Sequence, residues 1–436
     1  MSRLLVRRSL TAVGIYASVV VGFLATVVAG RLLTKQEFGD YATVLYATAF
    51  FQAFFDLTVE EALVKYGFRF VTQSEWGLLR SLFRSAFRFK VIGSTLGGIA
   101  LLVLAAFAPS RLATALVIAS LIPLAQSLEG LAGSALFLRS RYDVRSAFLV
   151  WSMVLRLTGV AVGAPHGLAA AMAGLVIGQI VATASVGYAG RLAFLRFPQV
   201  EPKPLGPERR GIWTFIAQSS VASGVLSLRG GLAPLLLAGV TSTTQTGIFK
   251  IAQAPQSGFQ ALTAPARMVL LTEQTREWER GRQSAVIRQV WRYTLTTALL
   301  AAVAVPALWW LMPHLITLVY GSRWADATNA ARLFLLTAAV QVVVGWTKSF
   351  PVTIGRPRLR IWTHGLETLL VLPLVVVMGA EWGATGAAGS FLVGMVAFAV
   401  VWIVILMRIK PEDVQQPADL AEMSAEEETE AGVLVR

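Results

Sequence analysis

The sequence predicts an all-α polytopic membrane protein, with twelve transmembrane helices in two six-helix bundles related by a pseudo-two-fold axis along the membrane normal. Three observations carry this. Apolar runs of about 18 residues or more recur along almost the whole chain, each long enough to cross a bilayer. Of 436 residues, 56% are hydrophobic and only 14% charged, where a soluble protein carries about 25%. Short matches also recur between the two halves at intervals of 204 to 216 residues.

In chain order the spans are expected at about 10–33, 38–58, 88–108, 112–138, 146–163, 167–190, 212–237, 245–271, 293–320, 330–354, 361–380 and 384–408. This gives a first bundle over 1–197, a linker over 198–210, a second bundle over 211–410 and a tail over 411–436. The basic start Met1–Arg8 runs into an apolar stretch without a small-residue cleavage site and reads as a retained first span. Pro198, Pro202, Pro204 and Pro207 stiffen the linker, and the acidic tail (Glu426, Glu427, Glu428, Glu430) is expected to be disordered. Twelve spans put both termini on one side. Lys and Arg in alternate loops number roughly 30 on that side against about 5 on the other, so both termini are expected in the cytoplasm. Two loops on that side, Glu75 to Arg88 and Glu277 to Arg292, repeat Arg beside Trp, Leu and Phe and read as interfacial amphipathic helices anchored on membrane lipids.

The net charge of +14 lies in these short loops, which argues for membrane orientation and against a nucleic-acid partner. There is no Cys and only three His (His166, His314, His364), so no metal or cofactor is expected.

The repeat is carried by several modest matches. Phe51-Gln52-Ala53-Phe54 returns as Phe259-Gln260-Ala261-Leu262, and at the same interval of 208 Gly22 meets Gly230, Gly39 meets Gly247 and Tyr41 meets Phe249. Arg84 and Arg88 meet Arg288 and Arg292 at 204, and Gly163-Ala164-x-x-Gly167 meets Gly379-Ala380-x-x-Gly383 at 216. An even number of spans per copy gives both copies one orientation, hence an axis along the membrane normal.

The stretch from Ile212 to Leu271 holds two cations at membrane depth, Arg229 and Lys250. A charge there costs roughly 2.5–3.5 kcal/mol, so each must face protein or a watery cavity. Gly230-Gly231 thins the helix, and Pro234 leaves the Gly230 carbonyl without its helical donor. At 1.5 Å per residue the two cations sit at nearly one depth. Neither has an acid at that depth in the second half; Arg31, with Glu37 and Asp40 nearby, is a weaker third candidate. Unpaired cations between helices suit an anionic ligand such as a pyrophosphate. Gln52, Gln253, Gln256 and Gln260, with Gln218, Ser219, Ser220, Ser223 and Ser227, could meet sugar hydroxyls or serve helix packing.

Other buried charges read as hairpin pairs, Glu129 with Arg156 and Lys348 with Glu367, either structural or in a proton relay. Asp56, Glu60 and Glu61, with Lys65 beyond them, form local pairs or an inner gate.

Gly30-Arg31-Leu32-Leu33-Thr34-x-x-Glu37-Phe38-Gly39-Asp40-Tyr41, followed by Asp56-Leu57 and Ala62-Leu63-Val64-Lys65-Tyr66, resembles the first hairpin of bacterial Wzx-type oligosaccharide flippases of the multidrug/oligosaccharidyl-lipid/polysaccharide exporter superfamily. Leu318-Val319-Tyr320-Gly321 with Ala330-Ala331-Arg332-Leu333, and Gly355-Arg356-Pro357-Arg358, are similar to later connections of that family; Thr58 stands where many relatives have Gly. The resemblance implies a V-shaped central cleft with a cationic lumen lined by spans one, two, seven and eight. It also implies a monomeric, non-enzymatic, inner-membrane flippase for an undecaprenyl-diphosphate-linked oligosaccharide, working beside polysaccharide polymerase and chain-length proteins. Rival readings are a cation-coupled multidrug antiporter, which needs a free buried carboxylate, a lipid II flippase, which often has additional spans, and a membrane glycan polymerase, which needs a large outward loop.

Overall fold

The computed structural model describes residues 3–55, 59–260, 274, 277–278, 280–348, 350–354 and 358–408. Asp56 and the acidic tail lie outside them. In order the helices are α1 (Arg3–Leu32), α2 (Lys35–Phe55), α3 (Val59–Thr72), α4 (Trp76–Phe107), α5 (Ser110–Ala119), α6 (Leu121–Leu138), α7 (Tyr142–Gly163), α8 (Leu168–Leu195), α9 (Glu208–Ser227), α10 (Ala233–Val240), α11 (Thr243–Ala252), α12 (described over 254–260), α13 (Gln283–Tyr320), α14 (Thr328–Val343), α15 (Phe350–Thr353) and α16 (Arg358–Arg408). Among the described residues, seven helices are long and apolar enough to cross a membrane, or eight if α2 and α3, inclined at 45°, form one span. The other predicted spans fall on helices broken by a non-α turn, or running out of the described residues. In α16 the break is Gly383, at φ 56°, which separates the two spans expected there.

Two compact units form by contact. The first comprises Met1–Pro255, Leu311–Phe334 and Thr368–Phe391; the second Gln256–Trp310, Leu335–Glu367 and Leu392–Arg436. The second has an aromatic core, with Trp346 edge-on to Trp402 at 5.8 Å and to Phe350 at 5.5 Å.

Within the first unit the duplication has a physical signature. Thr34 and Glu37 form a capping box at the start of α2, Thr34 Oγ1 accepting from Glu37 N–H and Glu37 Oε2 accepting from Thr34 N–H. At 208 residues on, Ser242 caps α11 by accepting from Gln245 N–H at 3.4 Å. Each cap rests on a left-handed glycine of its own copy: Gly167 (φ 94°) lies beside Glu37, and Gly383 beside Gln245, whose Oε1 accepts from Ala384 N–H at 2.9 Å. The two capped helices then pack on each other. Gln36 meets Thr243 and Thr244, and Tyr46 meets Gln253, contacts spanning 207 or 208 residues. Contacts at the repeat interval are those expected beside a pseudo-two-fold axis. A Cβ on Gly39 would overlap the Thr243 carbonyl, and one on Gly247 would lie 2.9 Å from Gly39 Cα, so the crossing is backbone to backbone.

Three expectations need correction. The basic stretch from Trp76 to Arg88 is instead the opening turns of α4, and Gln283 to Arg292 those of α13, because no Gly or Pro break separates Arg88 or Arg292 from the apolar run that follows. At 32 and 38 residues these helices exceed the roughly 20 that span hydrocarbon, so their arginines still reach headgroup level. The third and ninth predicted spans therefore belong to helices that begin at Trp76 and Gln283. Finally, α3 is a separate amphipathic helix: Val59, Ala62, Leu63, Tyr66 and Phe70 are buried at helical spacing against Leu79, Leu82, Ile212 and Ile216.

Gly39→Leu should lower the melting temperature sharply, since backbone cannot yield to the added side chain and the cost is about 1–3 kcal/mol or more. Gly230→Ala, with nothing within 4 Å of the added carbon, should melt within about 1 kcal/mol of the parent. Thermal melting in detergent compares the two; equal melting would show that the crossing does not hold the repeats together.

Candidate functional site

Lys250 stands on α11, one turn past the Gly39–Gly247 crossing. Its Nζ lies 4.9 Å from the centre of the Tyr46 ring, and the Tyr46 hydroxyl donates to Gln253 Oε1 at 3.1 Å. Tyr46 is buried, and Lys250 and Gln253 are half-buried. Among the described residues no carboxylate pairs with Lys250. A cation–π contact contributes about 0.5–2 kcal/mol, less than the roughly 2.5–3.5 kcal/mol that a charge costs at membrane depth. Among the described residues the ring therefore offsets only part of the cost of the charge.

Arg229 lies in a π-helical turn, Leu228–Leu232, between α9 and α10. The turn follows from the sequence: Pro234 gives no N–H to the Gly230 carbonyl, and the ladder widens where it cannot close. Gly231 packs on Phe50, a Cβ there falling 2.9 Å from that side chain, while Gly230 is exposed with open space beside it. Tyr46, which carries Lys250, and Phe50, which carries the turn, are four residues apart on α2. The two cationic segments therefore engage α2 about one helical turn, or roughly 6 Å, apart. Such π turns occur often at functional sites.

Arg31 is exposed, and its guanidinium is committed to the end of α13. Nε donates to the Val319 carbonyl at 2.8 Å and Nη2 to that of Leu318. In return Arg323 Nη2 (2.5 Å) and Trp324 Nε1 (2.9 Å) donate to the Gly30 carbonyl at the end of α1. Each copy supplies donors to the other's helix C-terminus, where carbonyls lack partners and carry partial negative charge. Lys35–Asp326 closes the same seam at 2.8 Å. Glu37 serves its capping box, and Asp40 pairs with Arg111 at 3.3 Å.

Glu129 on α6 faces two guanidiniums, Arg156 Nη2 at 3.6 Å and Arg145 Nη1 at 3.5 Å, and accepts from Gln179 Nε2 at 3.2 Å. Glu60 pairs with the buried Lys90 at 2.6 Å, and Lys65 lies 4.2 Å above the Phe215 ring. Glu367 meets His364 Nδ1 at 3.1 Å, with the His364 ring stacked on Phe398, and Lys348 ends a 3-10 turn, Gly345–Lys348. Gln52 is half-buried on α2. Gln256 and Gln260 belong to the second unit, where Gln260 Nε2 donates to Gln341 Oε1 at 3.0 Å. On α9, Gln218 is exposed and Ser220 half-buried; the side chains of Ser219, Ser223 and Ser227 lie outside the described set. Sequence reasoning missed Tyr46, Arg145, Lys90, His364, Arg323 and Asp326. Of these Lys90 and His364 lie inside predicted spans and Arg145 one residue outside another, so a polar residue at membrane depth was the signal for all three.

A family model described as polysaccharide biosynthesis protein matches residues 27–329. Among solved structures, the chain is similar to lipid II flippase MurJ in an inward closed conformation, with TM-score 0.68 and 12% identity over 93% of this chain and 88% of that one. It is similar also to a multidrug resistance MATE family transporter of the MOP superfamily, in an inward-facing structure (TM-score 0.64, 12% identity, 93% and 94% covered) and in an outward-facing one (0.62, 10%, 92% and 94%). No curated protein matches in sequence. The chain thus shares its fold with these transporters, and its family is that of polysaccharide biosynthesis proteins.

Glu129→Gln should lower stability by roughly 3–5 kcal/mol, because two largely buried guanidiniums then face each other without their shared carboxylate. Asp326→Asn, whose pair is 37% and 47% exposed, should cost about 1 kcal/mol or less. Thermal melting ranks the two, and the triple variant Glu129→Gln, Arg145→Gln, Arg156→Gln should regain part of the loss. Parental melting of Glu129→Gln would rule out a structural role for the network.

Proposed function

Because the chain belongs to the polysaccharide biosynthesis protein family, we propose that it is a flippase carrying an undecaprenyl-diphosphate-linked oligosaccharide across the bacterial inner membrane by alternating access. The observation that carries the reading is Lys250, a cation at membrane depth whose described partner is an aromatic ring and whose charge is left for a ligand to meet. With Arg229 on the adjoining turn of the site, two positive charges meet a diphosphate. Arg engages phosphate oxygens bidentately and Lys acts as a point charge. The loaded site is then nearly neutral and its reorientation through a low-dielectric cleft is eased. Once empty it is positive again, and an inside-negative potential favours its return.

The loop charge asymmetry supports cytoplasmic termini, which puts the seam of Arg31, Lys35, Arg323 and Asp326 on the outer side. On that topology the exchanged helix caps hold the pathway shut to the outside, and Arg31 serves closure rather than the diphosphate. A polymerase and chain-length proteins would receive the glycan on that face. A cation-coupled antiporter is less well supported, since Glu129 and Glu60 are both occupied by cations. The fold likeness to MurJ is compatible with a related lipid diphosphate, the glycan being the difference.

Two tests follow. In a flippase-deficient strain, Arg229→Gln and Lys250→Gln should each abolish surface glycan at parental membrane levels, and Arg229→Lys should retain partial function. Parental export by both Gln variants would remove the site. Second, the chain has no Cys, so Lys35→Cys with Asp326→Cys introduces the sole thiols. A short bifunctional thiol reagent bridging them should stop export, and reductant should restore it; unchanged export after bridging would show that the seam need not open.

A further inference from the structure

Among the described residues, a groove of about 730 Å³ in the second unit is lined by α13 alone, with Ala285, Gln289, Tyr293 and Thr297 in one row and Arg288, Arg292 and Thr296 in the next. Each row steps by four residues, so the polar groups form one continuous face over about three turns. The arginines occupy the opening turns of a 38-residue helix, at the depth of lipid phosphates, and Thr296 and Thr297 continue toward hydrocarbon. Both guanidiniums are exposed, and among the described residues neither pairs with a carboxylate. Thr297 donates its hydroxyl proton to the Tyr293 carbonyl at 2.7 Å, which leaves its oxygen as an acceptor on this face.

The first copy provides the contrast. Arg84 and Arg88 correspond to Arg288 and Arg292 at 204 residues, but the positions of Gln289, Tyr293, Thr296 and Thr297 are taken by Ser85, Phe89, Ile92 and Gly93. Phe89 is packed edge-on to Trp213 at 4.3 Å, and a Cβ on Gly93 would overlap the Phe55 carbonyl. Both copies keep the charges, but Phe89 and Gly93 of the first are packed against neighbouring helices where the second has Tyr293 and Thr297 along the groove.

We propose that this face of α13 is a second binding site, for the phosphate group of a lipid, with Arg288 and Arg292 on the phosphate oxygens and Thr296 on the polar atoms next to it. A size of several hundred Å³ suits a phosphorylated headgroup, and paired arginines engage phosphate with charge-assisted hydrogen bonds. The phosphate could belong to a resident phospholipid or to the lipid diphosphate of the proposed function. In the latter case the site is where cargo is held on loading, and only that choice rests on the flippase reading.

Native mass spectrometry of the full chain tests it, with undecaprenyl diphosphate and phosphatidylglycerol as probes. Use of the Arg229→Gln, Lys250→Gln background silences the first site. Arg288→Gln with Arg292→Gln should weaken binding of one probe at least ten-fold, Arg288→Lys with Arg292→Lys should weaken it less, and Arg84→Gln with Arg88→Gln should leave it unchanged. Loss confined to undecaprenyl diphosphate assigns a loading site; loss of phosphatidylglycerol assigns a resident lipid. Unchanged binding of both probes, or equal loss from the Arg84 and Arg88 pair, overturns the proposal, whatever the export assays of Arg229 and Lys250 give.

Discussion

Two helices can meet backbone to backbone only where neither carries a side chain at the contact, and much of the first unit follows from one such meeting. Gly39 and Gly247 bring α2 and α11 together. With that spacing set, Tyr46 faces α11 and Phe50 faces the π turn. The cation at Lys250 then falls over an aromatic ring one turn past the contact. A larger residue at either glycine would part the helices and take the Tyr46–Lys250 contact with it.

The charges divide by what they meet. Glu129 is shared by two guanidiniums, Glu60 holds a buried ammonium, and Asp40 takes Arg111 from another helix. These arrangements bind helices of the first bundle and leave these three acids occupied. Lys250 departs from that pattern, having a π face where the others have an opposite charge. Since burial of a charge is costly and a ring only partly offsets it, the departure is where ligand chemistry is expected.

Much of this was legible in the sequence, for identifiable reasons. Span periodicity and loop charge depend on local composition, so the helical membrane class could be read directly. The repeat was also readable, because a left-handed glycine needs a particular residue type and Gly167 recurs as Gly383, whereas the matching helix caps at Thr34 and Ser242 emerge only in the structure. The irregularity at Arg229 followed from two glycines and a proline. Partner choice was not legible. Glu60 looked toward Lys65 nearby in sequence, yet Lys90 on another helix is its partner, and the Lys65 ammonium lies on an aromatic ring. Arg31 showed nearby acids, whereas its donors go to main-chain carbonyls nearly 290 residues away, which no side-chain pattern encodes. Helix α3 was overlooked because it follows an apolar span closely, although its buried residues have a clean helical period.

The smooth crossing at Gly39 also sets a mechanical ratio. The contact itself is backbone to backbone, with the side-chain hydrogen bonds of Gln36 and Tyr46 to either side of it, so a change in angle between α2 and α11 turns about that point. From Gly39 to the last residue of α2, Phe55, the arm is sixteen residues, or about 24 Å. A tilt of about 15° about that point swings the far end by roughly 6 Å, while groups one turn from it move only about 1–2 Å. The position of one glycine along α2 thus fixes how far each end of that helix travels for a given tilt.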